Sequence, residues 1–211
     1  REETYPPTRF DYFPFGGIHR PIYIYSTPKD FIHDVKIQSK IISDKNAKII
    51  VNTLVNSEKA NLIRYEISDR SKKIESLFDI LKQKFSNEIN IENCQLWEIE
   101  NPFLYKITIS LLKDEEILDS YEMDFGVREI KVDGFKLLLN NKPIFLKGFG
   151  KHEDFPIIGK GLNLPLLVKD FSLLKWINAN SFRTSHYPYA EEWLDFADKK
   201  GILVIDEIPA V

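Results

Sequence analysis

The sequence predicts two folds in succession: an antiparallel β-sandwich, then the opening β-α-β-α-β portion of a parallel α/β sheet. Three observations carry this. Between residues 31 and 132, apolar and polar residues alternate in about seven short runs, which is the period of half-buried strands. After residue 133 the apolar spacing changes to three and four within two longer runs, and the last short strand beside them, ILVIDE, opens on an unbroken apolar run, as strands buried on both faces do. Polar and ionisable residues then follow each of the short strands around those runs.

Residues 1–27 are rich in aromatics, Pro and Gly, and PIYIYSTP reads as a short strand bounded by prolines. In HDVKIQSKI, Val35, Ile37 and Ile41 point one way and Asp34, Lys36, Gln38 and Lys40 the other. KIIVNTLV, NLIRYEI and LYKITISLL repeat the pattern, the last with Tyr105, Ile107, Ile109 and Leu111 on one face. Charged or Asn-rich turns, ISDKNAK and LLKDEEIL, separate them. KIESLFDILKQKF fits a helix by spacing and a strand by its neighbours, and stays open. GFKLLLNNKPIFLKG predicts a hairpin with Asn140–Asn141 or Asn141–Lys142 at its tip and IFLKGFG as its second arm.

HEDFPIIGKGLN reads as a loop. LPLLVKDFSLLKWINA is a helix with Leu167, Phe171, Leu174 and Ile177 on one face. NSFRTS is a strand. AEEWLDFADKKG is a second helix, with Ala190, Trp193, Leu194 and Ala197 inward, acids in the first turn, Lys199 and Lys200 in the last, and Gly201 to stop it. ILVIDE is the next strand. Strands of this kind belong in a sheet with further neighbours. Together with a start that lacks a methionine, the ends of the chain predict a piece of a longer protein.

Composition excludes several classes. With 211 residues, 29 Lys+Arg, 32 Asp+Glu and a net charge of -3, the chain lacks the basic surface that a duplex binder needs. No apolar run reaches the roughly 18 residues of a membrane span. A single cysteine, Cys94, excludes an intrachain disulfide and a thiolate cluster, and four scattered histidines predict no metal motif. Cys94 reads as a small apolar group. No GxGxxG or GxxxxGK follows a strand, so no nucleotide site is expected.

The C-terminal ends of parallel strands are where such sheets bind ligands. Here they carry Lys151, His152, Glu153 and Asp154, then Arg183, Thr184, Ser185 and His186, then Asp206 and Glu207. Groups of this kind at one rim must be hydrated or paired, and they read as the floor of an active site. A non-catalytic sandwich module would account for 28–132 and leave this rim without a purpose.

FLKGFGKHEDFPIIGKG at 145–161 and ANSFRTSHYPYAEE at 179–192 resemble glycoside hydrolase family 2 and, within it, the β-glucuronidases. FDYFPFGGIHRPIYIYSTP at 10–28, LWEIENPFLYKITI at 96–109, FGVREIKV at 125–132 and GILVIDEIPAV at 201–211 extend the resemblance, which is weakest in 42–93. The β-galactosidases of the family resemble NRHEH and HYPN more than GKHED and HYPYAEE, and remain the alternative. The resemblance implies that 1–27 are the last strands of a jelly roll, 28–132 an immunoglobulin-like sandwich, and 133–211 the first part of a (β/α)8 TIM barrel.

The activity so implied is retaining hydrolysis of β-D-glucuronides by the full-length enzyme, without cofactor or metal. The acid/base and nucleophilic glutamates and an Asn-x-Lys element for the sugar carboxylate are expected beyond Val211, so 1–211 alone should be inactive. By the same resemblance Asp11, His152 and His186 line the sugar subsite. Glu153, Asp154, Arg183, Asp206 and Glu207 hold neighbouring groups. Without the resemblance Asp11 reads as a turn residue, and Glu153 and Asp154 read equally well as loop-anchoring salt bridges. Arg183 reads as a charge partner for buried acids. Asp206 and Glu207 could be catalytic by position alone, but the family places those roles elsewhere. His19, His33, Trp97, Trp176 and Trp193 read as structural. Relatives of this kind assemble as homo-oligomers, often tetramers, and occur in bacterial cytoplasm and in lysosomes. The lack of Asn-x-Ser/Thr acceptors and paired cysteines leans towards the cytoplasm.

Overall fold

A computed structural model describes residues 16–69 and 72–209. They fall into two compact units, one of Tyr25–Phe145 and one of Leu146 onward together with the residues up to Ile24.

The first unit is a two-sheet sandwich. One sheet holds β1 (Phe31–Ser43), β2 (Asn46–Asn56) and β5 (Lys84–Glu92), in the order β1-β2-β5. The other holds β3 (Leu62–Ser68), β4 (Lys73–Asp79), β6 (Tyr105–Lys113) and β7 (Glu116–Phe125), in the order β4-β3-β6-β7. All neighbours pair antiparallel. The period-2 alternation sends Ile49 and Val51 of one sheet and Ile63, Ile67, Ile107 and Ile109 of the other into a common core. At its centre Tyr65 shares a hydrogen bond of 2.9 Å with Thr53 and donates one of 3.1 Å to Asn87, so its hydroxyl is satisfied across the sheets. Burial pushes that phenol up to about 12.

KIESLFDILKQKF is resolved as strand: β4, a turn, and the start of β5. The period of two prevails because β3 offers β4 a complete ladder of partners, Ser68 to Lys73 through Leu62 to Asp79. Trp97 is fully buried. The Arg128 guanidinium lies 4.6 Å over its ring, and a side chain at Gly126 would come within 2.8 Å of it. Cys94 is buried, and burial raises its thiol pKa.

A smaller sheet of β8 (Ile130–Asp133), β9 (Lys136–Leu139) and β10 (Lys142–Ile144) belongs to the same unit. Asn140 and Asn141 form its tip with φ of 52° and 64°, the paired left-handed conformation of a tight hairpin turn. Asn140 also donates to the Trp97 carbonyl at 2.9 Å, which ties the turn to the sandwich. IFLKGFG is not one strand. β10 ends at Ile144, and β11 (Gly148–Lys151) begins a different, parallel sheet. Lys147 breaks the run, its amide bonding the Asn180 side chain at 2.7 Å.

The second unit orders β11, β12 (Ser181–Thr184) and β13 (Leu203–Ile205) in parallel, joined through α1 (Leu164–Trp176) and α2 (Glu191–Lys200). This is the expected β-α-β-α-β arrangement, and no closed barrel is present among the described residues. The Asn163 side chain caps α1 by accepting from Leu166 N, and Gly201 ends α2 at φ 67°. Leu167, Phe171, Leu174, Phe182, Tyr189, Trp193 and Ala197 fill the layer between helices and sheet.

Four further expectations differ. Ile177 is 51% exposed because α1 has already ended at Trp176, and Ile177 is its C-cap. Leu194 is 37% exposed, one position off the Trp193–Ala197 stripe. Trp176 is 82% exposed and does not pack. Residues 21–28 form no strand, and Ile22, Tyr23, Ile24 and Tyr25 are exposed; a strand needs a ladder partner, and none pairs with them among the described residues. No described helix is long and apolar enough to cross a membrane.

Candidate active site

Parallel register sets the rim. Lys151 lies opposite Thr184, and Arg183 opposite Ile205, so the segments that follow the three strands leave the sheet at the same edge. Two glycines permit this packing. A side chain at Gly148 would meet the Ser181 carbonyl oxygen at 2.0 Å, and one at Gly150 would meet Ser185 Oγ at 2.6 Å and Arg183 Nη2 at 2.9 Å.

His152 and His186 come together, ring centroids 5.8 Å apart and 73° between planes. Tyr187 is next to them, 6.4 Å from the His152 ring, and burial pushes its phenol up to about 12. Glu207 connects the second and third strands. Its carboxylate accepts from Arg183 and contacts His186 Nδ1 at 3.2 Å. Its amide donates to Thr184 Oγ1 at 2.8 Å, and Thr184 in turn donates to Asp206 at 2.9 Å. The Arg183 hydrogen bond above all holds the Glu207 carboxyl below the usual carboxylate range.

Glu153 faces away from solvent. It is 5% exposed, pairs with Arg20 at 2.7 Å, and accepts from Ala190 N at 3.2 Å at the start of α2. The carboxylate thus takes the place of the side-chain cap that Ala190 cannot provide, at the end of the helix that favours negative charge. Asp154 is half-buried in the loop after β11. Asp206 is exposed and Thr184 is its bonded neighbour. Asp11 lies outside the described residues. His19 supports this region by its main chain, its carbonyl accepting from Leu162 N at 3.2 Å, and His33 is an exposed residue of β1 in the sandwich.

Sequence reasoning missed three participants. Arg20 had no signal, since its partner Glu153 is 133 positions away. Lys151 was visible as a strand-end residue, but its direction was not. Its ammonium turns under the rim into the helix layer, pairing with Asp170 of α1 at 3.0 Å and lying 3.8 Å over the Trp193 ring. Burial lowers its pKa, with Asp170 opposing the shift. Lys160 stands 3.7 Å over the Tyr187 ring, and burial lowers its pKa as well. A cavity of about 10 Å³ beneath the rim, bordered by Arg20, Glu153 and Trp193, has room for about one water and no sugar. Among the described residues, no group of three His, Cys, Asp or Glu side chains is placed to hold a metal ion.

Comparison with known proteins bears on both units. Residues 31–128 match the model of glycosyl hydrolases family 2, and residues 130–211 match that of the family's TIM barrel domain. Curated β-glucuronidases are similar along nearly the whole chain. The protein of Streptococcus agalactiae serotype V is 40% identical over 96% of this chain and 33% of its own length. The Homo sapiens protein is 36% identical over 97% of this chain and 32% of its own. The chain thus spans about a third of the length of these relatives. A crystal structure of Ruminococcus gnavus β-glucuronidase superposes with a TM-score of 0.79 at 38% identity, covering 87% of this chain and 30% of that one. The same enzyme in complex with D-glucuronic acid gives 0.77 at 38%, covering 87% and 31%. A sandwich matched over residues 31–128 and a parallel rim matched over 130–211 leave one assignment: the chain belongs to glycosyl hydrolases family 2.

Proposed function

We propose that the protein carrying this chain is a retaining β-glucuronidase and that the rim after β11, β12 and β13 is one side of its sugar subsite. The observation that carries the reading is the pair His152–His186, two imidazoles 5.8 Å apart at the ligand end of a parallel sheet. It is supported by 36–41% identity to curated β-glucuronidases. A neutral imidazole donates through one nitrogen and accepts through the other, which suits it to sugar hydroxyls. Glu207, engaged by Arg183 and His186, orients the second ring.

Retaining hydrolysis needs one carboxylic acid to protonate the leaving oxygen and one carboxylate about 5 Å away to attack the anomeric carbon. Glu153 and Glu207 suit neither role. Glu153 is buried in an ion pair with Arg20. Glu207 has a lowered pKa where a general acid needs a raised one, and its carboxylate oxygens are taken up by Arg183 and His186, which argues against its serving as the nucleophile. The reading therefore assigns both catalytic carboxylates to barrel strands outside these 211 residues. In the same proposal Asp11 reaches the sugar from a jelly roll ending near residue 27, the sandwich occupies 28–132, the barrel begins at 133, and the whole protein is a homo-oligomer. Turnover of matched aryl β-D-glucuronide and β-D-galactoside by the whole protein tests it. The glucuronide is expected to be the better substrate by kcat/KM, and a preference for the galactoside overturns the assignment.

A further inference from the structure

We infer that Lys151 is a positioning residue for His152, acting through a hydrogen bond from its ammonium to the His152 carbonyl; this rests on the role proposed above for His152. Lys151 ends β11, and its side chain is 11% exposed. The Nζ atom donates to His152 O at 2.9 Å and pairs with Asp170 at 3.0 Å. Trp193, Tyr189 and Phe155 wall it at 3.8, 5.6 and 5.9 Å to their ring centroids.

The carbonyl of Lys151 itself accepts from Tyr189 OH and, at 3.2 Å, from Ser185 N. The peptide groups on both sides of His152 are thus bonded, one by the strand end and the other by the ammonium. The imidazole projects from a main chain that has no free carbonyl to turn.

Stability alone is a poor reason for such a lysine. A buried ammonium loses hydration, and an apolar side chain of the same length would fill an aromatic pocket as well. What the apolar side chain lacks is a directed donor. The lowered pKa of Lys151 is the mark of that desolvation. Placement of a hydroxyl donor within a fraction of an ångström is what a sugar site needs, because misplacement weakens the transition state more than the ground state.

The test uses three variants of the whole protein: His152→Ala, the charge-balanced pair Lys151→Met with Asp170→Asn, and all three together. Removing both charges avoids leaving the half-buried Asp170 without its partner. The readouts are kcat and KM on an aryl β-D-glucuronide, and Tm. The expected result is a folded pair variant whose kcat falls about tenfold, the loss of roughly one hydrogen bond, with KM little changed. Because Lys151 acts through His152, the triple variant should be no slower than His152→Ala alone. Losses that multiply, an unchanged kcat in the pair variant, or a pair variant that fails to fold each overturn the inference while leaving the role of His152 intact. A harmless His152→Ala overturns the role of His152, and the inference falls with it.

Discussion

The rings of His152 and His186 meet edge to face, 5.8 Å between centroids, although 34 positions of chain separate them. One follows β11 and the other β12, and the parallel register of those strands delivers both to one rim. His186 leans on Glu207 at 3.2 Å, and the His152 main chain is held by Lys151.

His186→Ala in the whole protein is expected to lower kcat/KM on an aryl β-D-glucuronide by about one to two decades, the range for losing a hydrogen bond that strengthens with charge. His33→Gln, an exposed change on β1 of the sandwich, should leave it unchanged. Steady-state kinetics on both variants check this, and a silent His186→Ala removes that residue from the subsite.

Glu207→Gln should destabilise the whole protein near neutral pH and cease to do so in acid. The folded-state pKa of Glu207 lies below its ordinary 4.5, so the charged form is the one that folding favours. Its contribution is complete above 4.5 and disappears as pH falls through the lowered value. Thermal melts of parent and variant across that window should converge on acidification; a gap that widens in acid contradicts the sign.

Gly148→Ala should be worse than Gly150→Ala. A methyl at 148 meets backbone oxygen at 2.0 Å, which can move only if β11 and β12 part. A methyl at 150 meets the ends of the Ser185 and Arg183 side chains, which can shift. Overpacking of the second kind costs about 1–3 kcal/mol. Soluble yield and melting of the two variants rank them, and equal tolerance would refute the close approach at Gly148.

In the sandwich, Trp97→Ala is expected to cost about 3–5 kcal/mol, the usual range for emptying a fully buried aromatic site. Tyr65→Phe should cost about 1–2 kcal/mol, since it keeps the ring and leaves Thr53 and Asn87 without the shared hydroxyl. Denaturant unfolding followed by circular dichroism reads both.

The order of elements, the sandwich core and the residues at the rim were legible in the sequence, because each depends on local period or on what ends an apolar run. Alternation in β2 and β6 and the three-to-four spacing of Leu167, Phe171 and Leu174 determine which face is apolar wherever the element sits. KIESLFDILKQKF was ambiguous because its spacing satisfies both periods, and the free edge of β3 decided it. Directions and partners were a tertiary matter. Glu153 looked like a rim carboxylate and is a buried anchor, since Arg20, 133 positions away, neutralises it. Lys151 and His152 are adjacent in sequence, yet the lysine turns into the helix layer and the histidine stands beside His186. Sequence carries residue type and period, whereas the sign of the field around a charge depends on groups that only folding brings near.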